Sequence, residues 1–223
     1  VGTGYILIRT NKAGIVFPAF ISKNMKKFLV LCFVGLMKIS SAQCEFPIKD
    51  ASDELENILN DTLQYNPPGL FISDFETIET IIKRTRSKYK IVYNFSISCN
   101  SSRELFPAIT EFVNNNNDFE LLLIYGYREI DTAWVRKYLM ENKFHGNLFI
   151  LDTKKYGNRR NPSSRNDKLI RKICKDCDYK RMGLSSFYVF DERDKVVLHN
   201  NWTVVGMDKI KQLEEWYRKQ MGQ

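Results

Sequence analysis

Histidine is scarce in this chain: His145 and His199 are the only two in 223 residues. Neither has a serine and an acid grouped around it, so a Ser-His-Asp hydrolase is not indicated. Neither sits at finger-like spacing from a cysteine pair, which argues against a Cys₂His₂ zinc module. There is no glycine-rich loop of phosphate-binding spacing and no carboxylate pair of recognisable spacing. Internal repeats are missing, and the only low-complexity tract is Asn114–Asn117. Acidic residues are absent from 1–42. What remains is an ordinary globular composition, 43% hydrophobic and 27% charged, enough to build a core.

The missing acids explain the net charge. The chain carries +8, which would suit a nucleic-acid partner. Yet Arg9, Lys12, Lys23, Lys26, Lys27 and Lys38 all fall in the acid-free segment, and without them 28 basic residues face 26 acidic ones. A near-neutral domain has no global field for a phosphate backbone, so no nucleic-acid partner is expected. The basic excess reads as targeting. Met25-Lys26-Lys27 makes a cationic start, Phe28–Met37 an apolar stretch, and Ser40-Ser41-Ala42 supplies small residues before Gln43. This is the pattern of a signal peptide over 25–42, with cleavage expected after Ala42 and a secreted product. The apolar stretch is too short for a membrane span of ~20 residues, so no stable span is expected after processing. Residues 1–24 read as sequence upstream of the start. A lipoprotein anchored at Cys44 is not expected, because Ser41 and Gln43 stand where an aliphatic and a small residue belong.

The mature chain reads first as a helical extension over 43–87. Leu55, Ile58, Leu59 and Leu63 recur at helical spacing until Asn66-Pro67-Pro68-Gly69 stops them. Ser73 and Glu76 form a capping-box pattern ahead of a helix over about 74–86. From 88 to 223 strands and helices alternate. Lys90–Ser96, Phe119–Tyr125 and Asn147–Leu151 read as strands, the second apolar but for Glu120, as in a buried parallel sheet. Ser101–Val113 reads as a helix containing Pro107, and Asp131–Asn142 as a helix with Trp134, Val135, Tyr138 and Leu139 inward. Lys154 to Lys172 is a basic loop and short helix, read as a solvated face. Phe187–Phe190 and Val196–Leu198 form a hairpin, and Met207–Gln220 a closing helix. Trp134 and Trp216 read as core and Trp202 as a loop residue. The order predicts an α/β fold, a mixed central sheet with helices on both faces.

One segment carries a family resemblance. Tyr93 to Pro107, with Cys99 at the end of a strand and Pro107 in the following helix, resembles the strand–motif–helix of thioredoxin-like proteins, nearest to the TlpA-type exported thiol–disulfide oxidoreductases. Gly183-Leu184-Ser185-Ser186-Phe187 is similar to the strand that faces their active site, and Lys195-Val196-Val197 to the next. The resemblance implies a thioredoxin-like fold over 88–223 and a periplasmic or secreted setting. It also implies thiol–disulfide oxidoreductase or isomerase chemistry on protein thiols and disulfides, with no cofactor. The departures are specific. Ser102 replaces the resolving cysteine, Ser98 the usual tryptophan, and Ser185 the cis-proline. A peroxiredoxin pattern fits poorly, since Val92 stands where that chemistry needs proline.

The cysteines then divide. Cys99, at a helix N-terminus with Arg103 one turn on, is placed for a stabilised thiolate, and Ser102 is positioned to hydrogen-bond it. Without a second cysteine at position 102 the site would work as a single nucleophile. Alternatively it would be a relic on a non-catalytic binding module. Cys174-Lys175-Asp176-Cys177 is the only C-x-x-C. It would either close a structural disulfide or lend Cys99 a relocated resolving thiol, which requires Cα atoms within ~7 Å.

Overall fold

Strand alternation is clearest at the centre. In β3 (Tyr89–Phe95) every residue is buried, and Ile91, Tyr93 and Phe95 point to one face while Val92 points to the other. The computed structural model describes residues 48–60, 68–126, 131–157, 163–177, 183–201 and 203–222. The expected signal peptide, Cys44, Trp202 and several basic residues of the 158–162 and 178–182 segments lie outside them.

The elements in order are β1 (Lys49–Asp50), α1 (Leu55–Asn60), β2 (Gly69–Ser73), α2 (Phe75–Arg84), β3 and α3 (Asn100–Asn114). Then come β4 (Phe119–Tyr125), α4 (Thr132–Glu141), β5 (Asn147–Leu151), α5 (Thr153–Tyr156) and α6 (Ser163–Ile173). The chain closes with β6 (Phe187–Phe190), β7 (Val196–His199) and α7 (Asp208–Gln220). One seven-stranded sheet has the order β1-β2-β5-β4-β3-β6-β7. β1 through β5 pair in parallel, and β6 and β7 are antiparallel to their neighbours. This is the mixed sheet that the element order implied.

Helices cover both faces. α3, α4 and α7 bury Leu105, Phe106, Ile109, Val135, Leu139, Ile210 and Leu213 against one side. α1, α2 and α6 bury Ile58, Ile78, Ile81, Leu169 and Ile170 against the other. Each such side chain stabilises by roughly 1.5–3 kcal/mol when fully buried, so the two apolar layers fix which helix lies on which face.

The segment 43–87 holds the two helices expected there, and it also supplies β1 and β2. β2 pairs with β5 over its whole length, from Gly69↔Asn147 to Ser73↔Leu151. This strand has no local signal, because its partner β5 lies more than seventy positions away. Consequently Ser73 ends a strand, and Asp74 caps α2 by accepting from the Thr77 N–H at 2.7 Å.

Two further differences concern single residues. Trp134, expected in the core, is 46% exposed, because the α4 residues that pack on the core are Val135, Leu139 and the half-buried Tyr138. Arg165, expected on a solvated basic face, is fully buried: its Nε donates to the Gly126 carbonyl at 2.7 Å and Nη1 to the Gly157 carbonyl at 2.8 Å. Lys155 and Lys172 are likewise engaged, with Asp74, Glu76 and Glu79 on α2. Hydrogen bonds from Lys172, the Glu76 backbone and Lys155 hold the Glu76 carboxyl down to about 2. Two cations of the basic stretch, Lys155 and Lys172, are therefore paired with the acids at the start of α2.

Candidate active site at Cys99

β3 ends at Phe95, and four residues later Cys99 stands as the N-cap of α3, with extended backbone at φ −98° and ψ 120°. Its N–H donates to the Ser96 carbonyl at 3.1 Å and its carbonyl accepts from the Arg103 N–H at 3.0 Å. No side chain caps this helix end, and its first turn holds no acid. The positive end of the helix dipole therefore lies at the half-buried Cys99, with no carboxylate in the first turn. Cys99 is the free cysteine among the described residues.

Ser102, at the resolving position, faces the other way. It is fully buried, and its hydroxyl accepts from the Ser96 N–H at 2.9 Å. The Tyr93 hydroxyl lies 3.2 Å from that oxygen and donates to the Ser102 carbonyl at 3.0 Å. The expected hydrogen bond from Ser102 to the Cys99 sulfur is replaced by these contacts. A hydroxyl has one proton and two lone pairs, and here they pin the β3–α3 turn from inside. Burial pushes the Tyr93 phenol far up, so it stays neutral.

Pro107 explains another partner. Proline has no N–H for the carbonyl four residues back, which is that of Arg103. The Tyr138 hydroxyl of α4 fills the gap, donating to the Arg103 carbonyl at 2.7 Å. Burial raises the Tyr138 phenol to about 12. The link ties α4 to the first turn of α3. The Arg103 guanidinium bonds the Ile97 carbonyl and the Asn100 side chain, bracing the same turn.

The segment before β6 completes the site. The Ser185 N–H donates to the Asn94 carbonyl at 2.9 Å, and the Asn94 N–H to the Ser186 carbonyl at 2.9 Å. Ser185 is buried with φ +70°, a left-handed conformation uncommon for a residue with a Cβ. It is held there by Lys209 of α7, whose Nζ donates to the Ser185 carbonyl at 2.8 Å and its Oγ at 3.1 Å. Lys209 is only 3% exposed. It was not singled out in the sequence; its signal there was a lysine at an apolar helix position.

Cys174 and Cys177 are not brought to this site. They are bonded to each other with Cα atoms 5.4 Å apart. Both are buried in the layer of α1, α2 and α6, across the sheet from the layer that α3 covers. They are thus placed to staple the end of α6, and a relocated resolving role beside Cys99 finds no support in this placement. No group of three or more metal-ligating side chains occurs among the described residues.

A central strand with a parallel neighbour on one side and an antiparallel hairpin on the other runs into a cysteine that starts a helix. The fold is thioredoxin-like. Three solved structures are similar to parts of the chain. A thioredoxin-like protein in the oxidized form is 16% identical, covers 58% of this chain and 78% of its own, and has a TM-score of 0.42. A domain of a possible thiol-disulfide isomerase from Cytophaga hutchinsonii is 17% identical over 61% and 79%, with a TM-score of 0.38. Yeast Sco1 with copper bound is 14% identical over 63% and 82%, with a TM-score of 0.36. No protein-family model and no curated protein matches the chain. Strand order and the placement of Cys99 carry the fold, and Ser102 stands where a second cysteine would make a dithiol pair.

Proposed function

We propose that this protein is exported and performs thiol–disulfide exchange on protein substrates with Cys99 as its single nucleophile. The observation that carries the reading is a free, half-buried Cys99 at an uncapped helix N-terminus with no acid in the first turn. The thiolate attacks one sulfur of a substrate disulfide. A bond forms between Cys99 and that sulfur, the substrate bond breaks, and the second sulfur leaves as a thiolate. Ser102 cannot reverse this step, having no sulfur. Release then needs a thiolate from the substrate itself or from another thiol, as in disulfide shuffling. Trp134, exposed in the first turn of α4, lies at the same sheet end as Cys99, because β3 and β4 are parallel. It offers an apolar contact to an unfolded or extended polypeptide. No helix among the described residues is long and apolar enough to cross a membrane, and export rests on the signal-like segment 25–42.

The test is the alkylation rate of Cys99 in the folded full chain, read by peptide mass spectrometry. A rate at pH 7 at least about tenfold above that of the unfolded chain supports a nucleophilic thiolate. A Cys99 that reacts only after unfolding sinks the reading. It would leave the second one, a non-catalytic binding module, which the inward-facing Ser102 and the serine at position 185 favour. Amino-terminal sequencing of the secreted protein tests export, with Gln43 expected first.

A further inference from the structure

The sheet has a step at the end away from Cys99. β3 and β4 start level, Tyr89 opposite Phe119, and β2 and β5 start level, Gly69 opposite Asn147. The register of β4 with β5 begins only at Leu123↔Leu148, so the first residues of β4 run on past the start of β5. Cys99 follows the far end of β3, and these four strands are parallel. The step and the thiol therefore lie at opposite ends of the sheet. A cavity of about 440 Å³ opens at the step, a size within the range of small-molecule sites. Its wall draws on both apolar layers. Ile58, Ile81 and Leu122 come from the layer of α1 and α2, and Val113 and Phe144 from the layer of α3.

One polar group in this wall is unsatisfied. Thr110 of α3 lines the cavity and is 2% exposed, and its Oγ1 has no hydrogen-bond partner. A helical threonine can bond the carbonyl four residues back, as Thr80 of α2 does with Glu76 at 2.8 Å. Thr110 leaves that bond unmade. A buried hydroxyl without a partner is destabilising, and a bound molecule that supplies the partner removes the cost. With histidine counted neutral, the exposed rim holds one charge of each sign, Glu120 and Arg86. The Ser87 hydroxyl donates to Glu120 at 3.2 Å. The entrance thus offers no net attraction to an ion.

We propose that this cavity is a binding site for a small uncharged molecule, an apolar ring or branched chain bearing a carboxamide or hydroxyl that hydrogen-bonds Thr110 Oγ1. The apolar wall buries the body of such a ligand. Thr110 orients its head, since a hydroxyl both donates and accepts. The site stands apart from the thiol chemistry and does not depend on the reading of Cys99.

The probe is benzamide, with benzoate as its charged counterpart of similar shape. Each is titrated into the ¹⁵N-labelled full chain and followed by nuclear magnetic resonance. Benzamide is expected to give saturable shifts at the amides of Thr110, Leu122 and Asn147. Benzoate is expected to bind at least about tenfold more weakly, because an apolar cavity strips a carboxylate of its water. Thr110→Val removes the hydroxyl and nearly keeps the volume, and it is expected to weaken benzamide about fivefold, the loss of one hydrogen bond. Should Thr110→Val fail to fold, Val113→Phe takes its place. Val113 is half-buried in the same wall, and the larger ring is expected to fill the cavity and abolish the shifts. The proposal is overturned by the absence of saturable shifts with benzamide, by equal binding of benzoate, or by undiminished benzamide binding in the folded variant.

Discussion

The two faces of the sheet treat cysteine in opposite ways. Cys174 and Cys177 sit at the end of α6, buried at 7% and 6% exposure and bonded to each other. Cys99 lies at the mouth of the other layer, half-buried and free. The first pair is close in sequence and packed into an apolar cluster, so its sulfurs have each other and little else. Cys99 has a helix N-terminus and no cysteine partner at position 102. The contrast sets a C-x-x-C pair that is closed on itself against a lone cysteine at a helix start, the one that the proposed function uses. What matters is whether the sulfur meets positive potential and solvent.

Breaking that contrast gives graded effects. Replacing Cys174 and Cys177 together by alanine is expected to cost about 2 kcal/mol of stability, the entropy of so short a loop. Cys99 should keep its alkylation rate, since the disulfide lies in the other layer; urea melts and the rate assay check both halves. Ser102→Ala leaves the buried Ser96 N–H without its acceptor, which is expected to cost about 1.5 kcal/mol and to appear in the same melts. Trp134→Ala is expected to stay within about 0.5 kcal/mol of wild type, because an exposed side chain gives up little on truncation. It should instead slow exchange with an unfolded protein substrate more than with a small disulfide.

A pH titration sharpens the same comparison. The Lys209 ammonium sits at about 8 when folded, against 10.5 in the free side chain. Between those values the unfolded chain binds more protons, so the Lys209 contribution makes stability rise with pH across that window. Lys209→Met should flatten this rise, while the alanine pair at 174 and 177 should not. Melts at pH 8 and pH 10 in the two variants check the sign.

Much of the central architecture was legible. Phe119–Tyr125 and Asn147–Leu151 are mostly apolar runs between polar breaks, and both are strands with the expected limits. The β3–Cys99–α3 unit was readable because a β-branched and aromatic run meets a cysteine and then a helical repeat. β2 was not, since its evidence is a pairing with β5 and not a local pattern. Trp134 and Arg165 exchanged their expected places for the same reason. A tryptophan on a helix and an arginine in a basic stretch carry no sign of which carbonyls or apolar faces the fold will bring to them.

Local sequence therefore determined the elements and put Cys99 at a helix start, because periodicity and capping act over a few residues. Only the tertiary structure decided the state of each cysteine. It turned Ser102 inward onto Ser96 and Tyr93, sealed Cys174 against Cys177, and buried Lys209 on Ser185. Those outcomes depend on burial and on long-range charge, which arise only once the layers are packed.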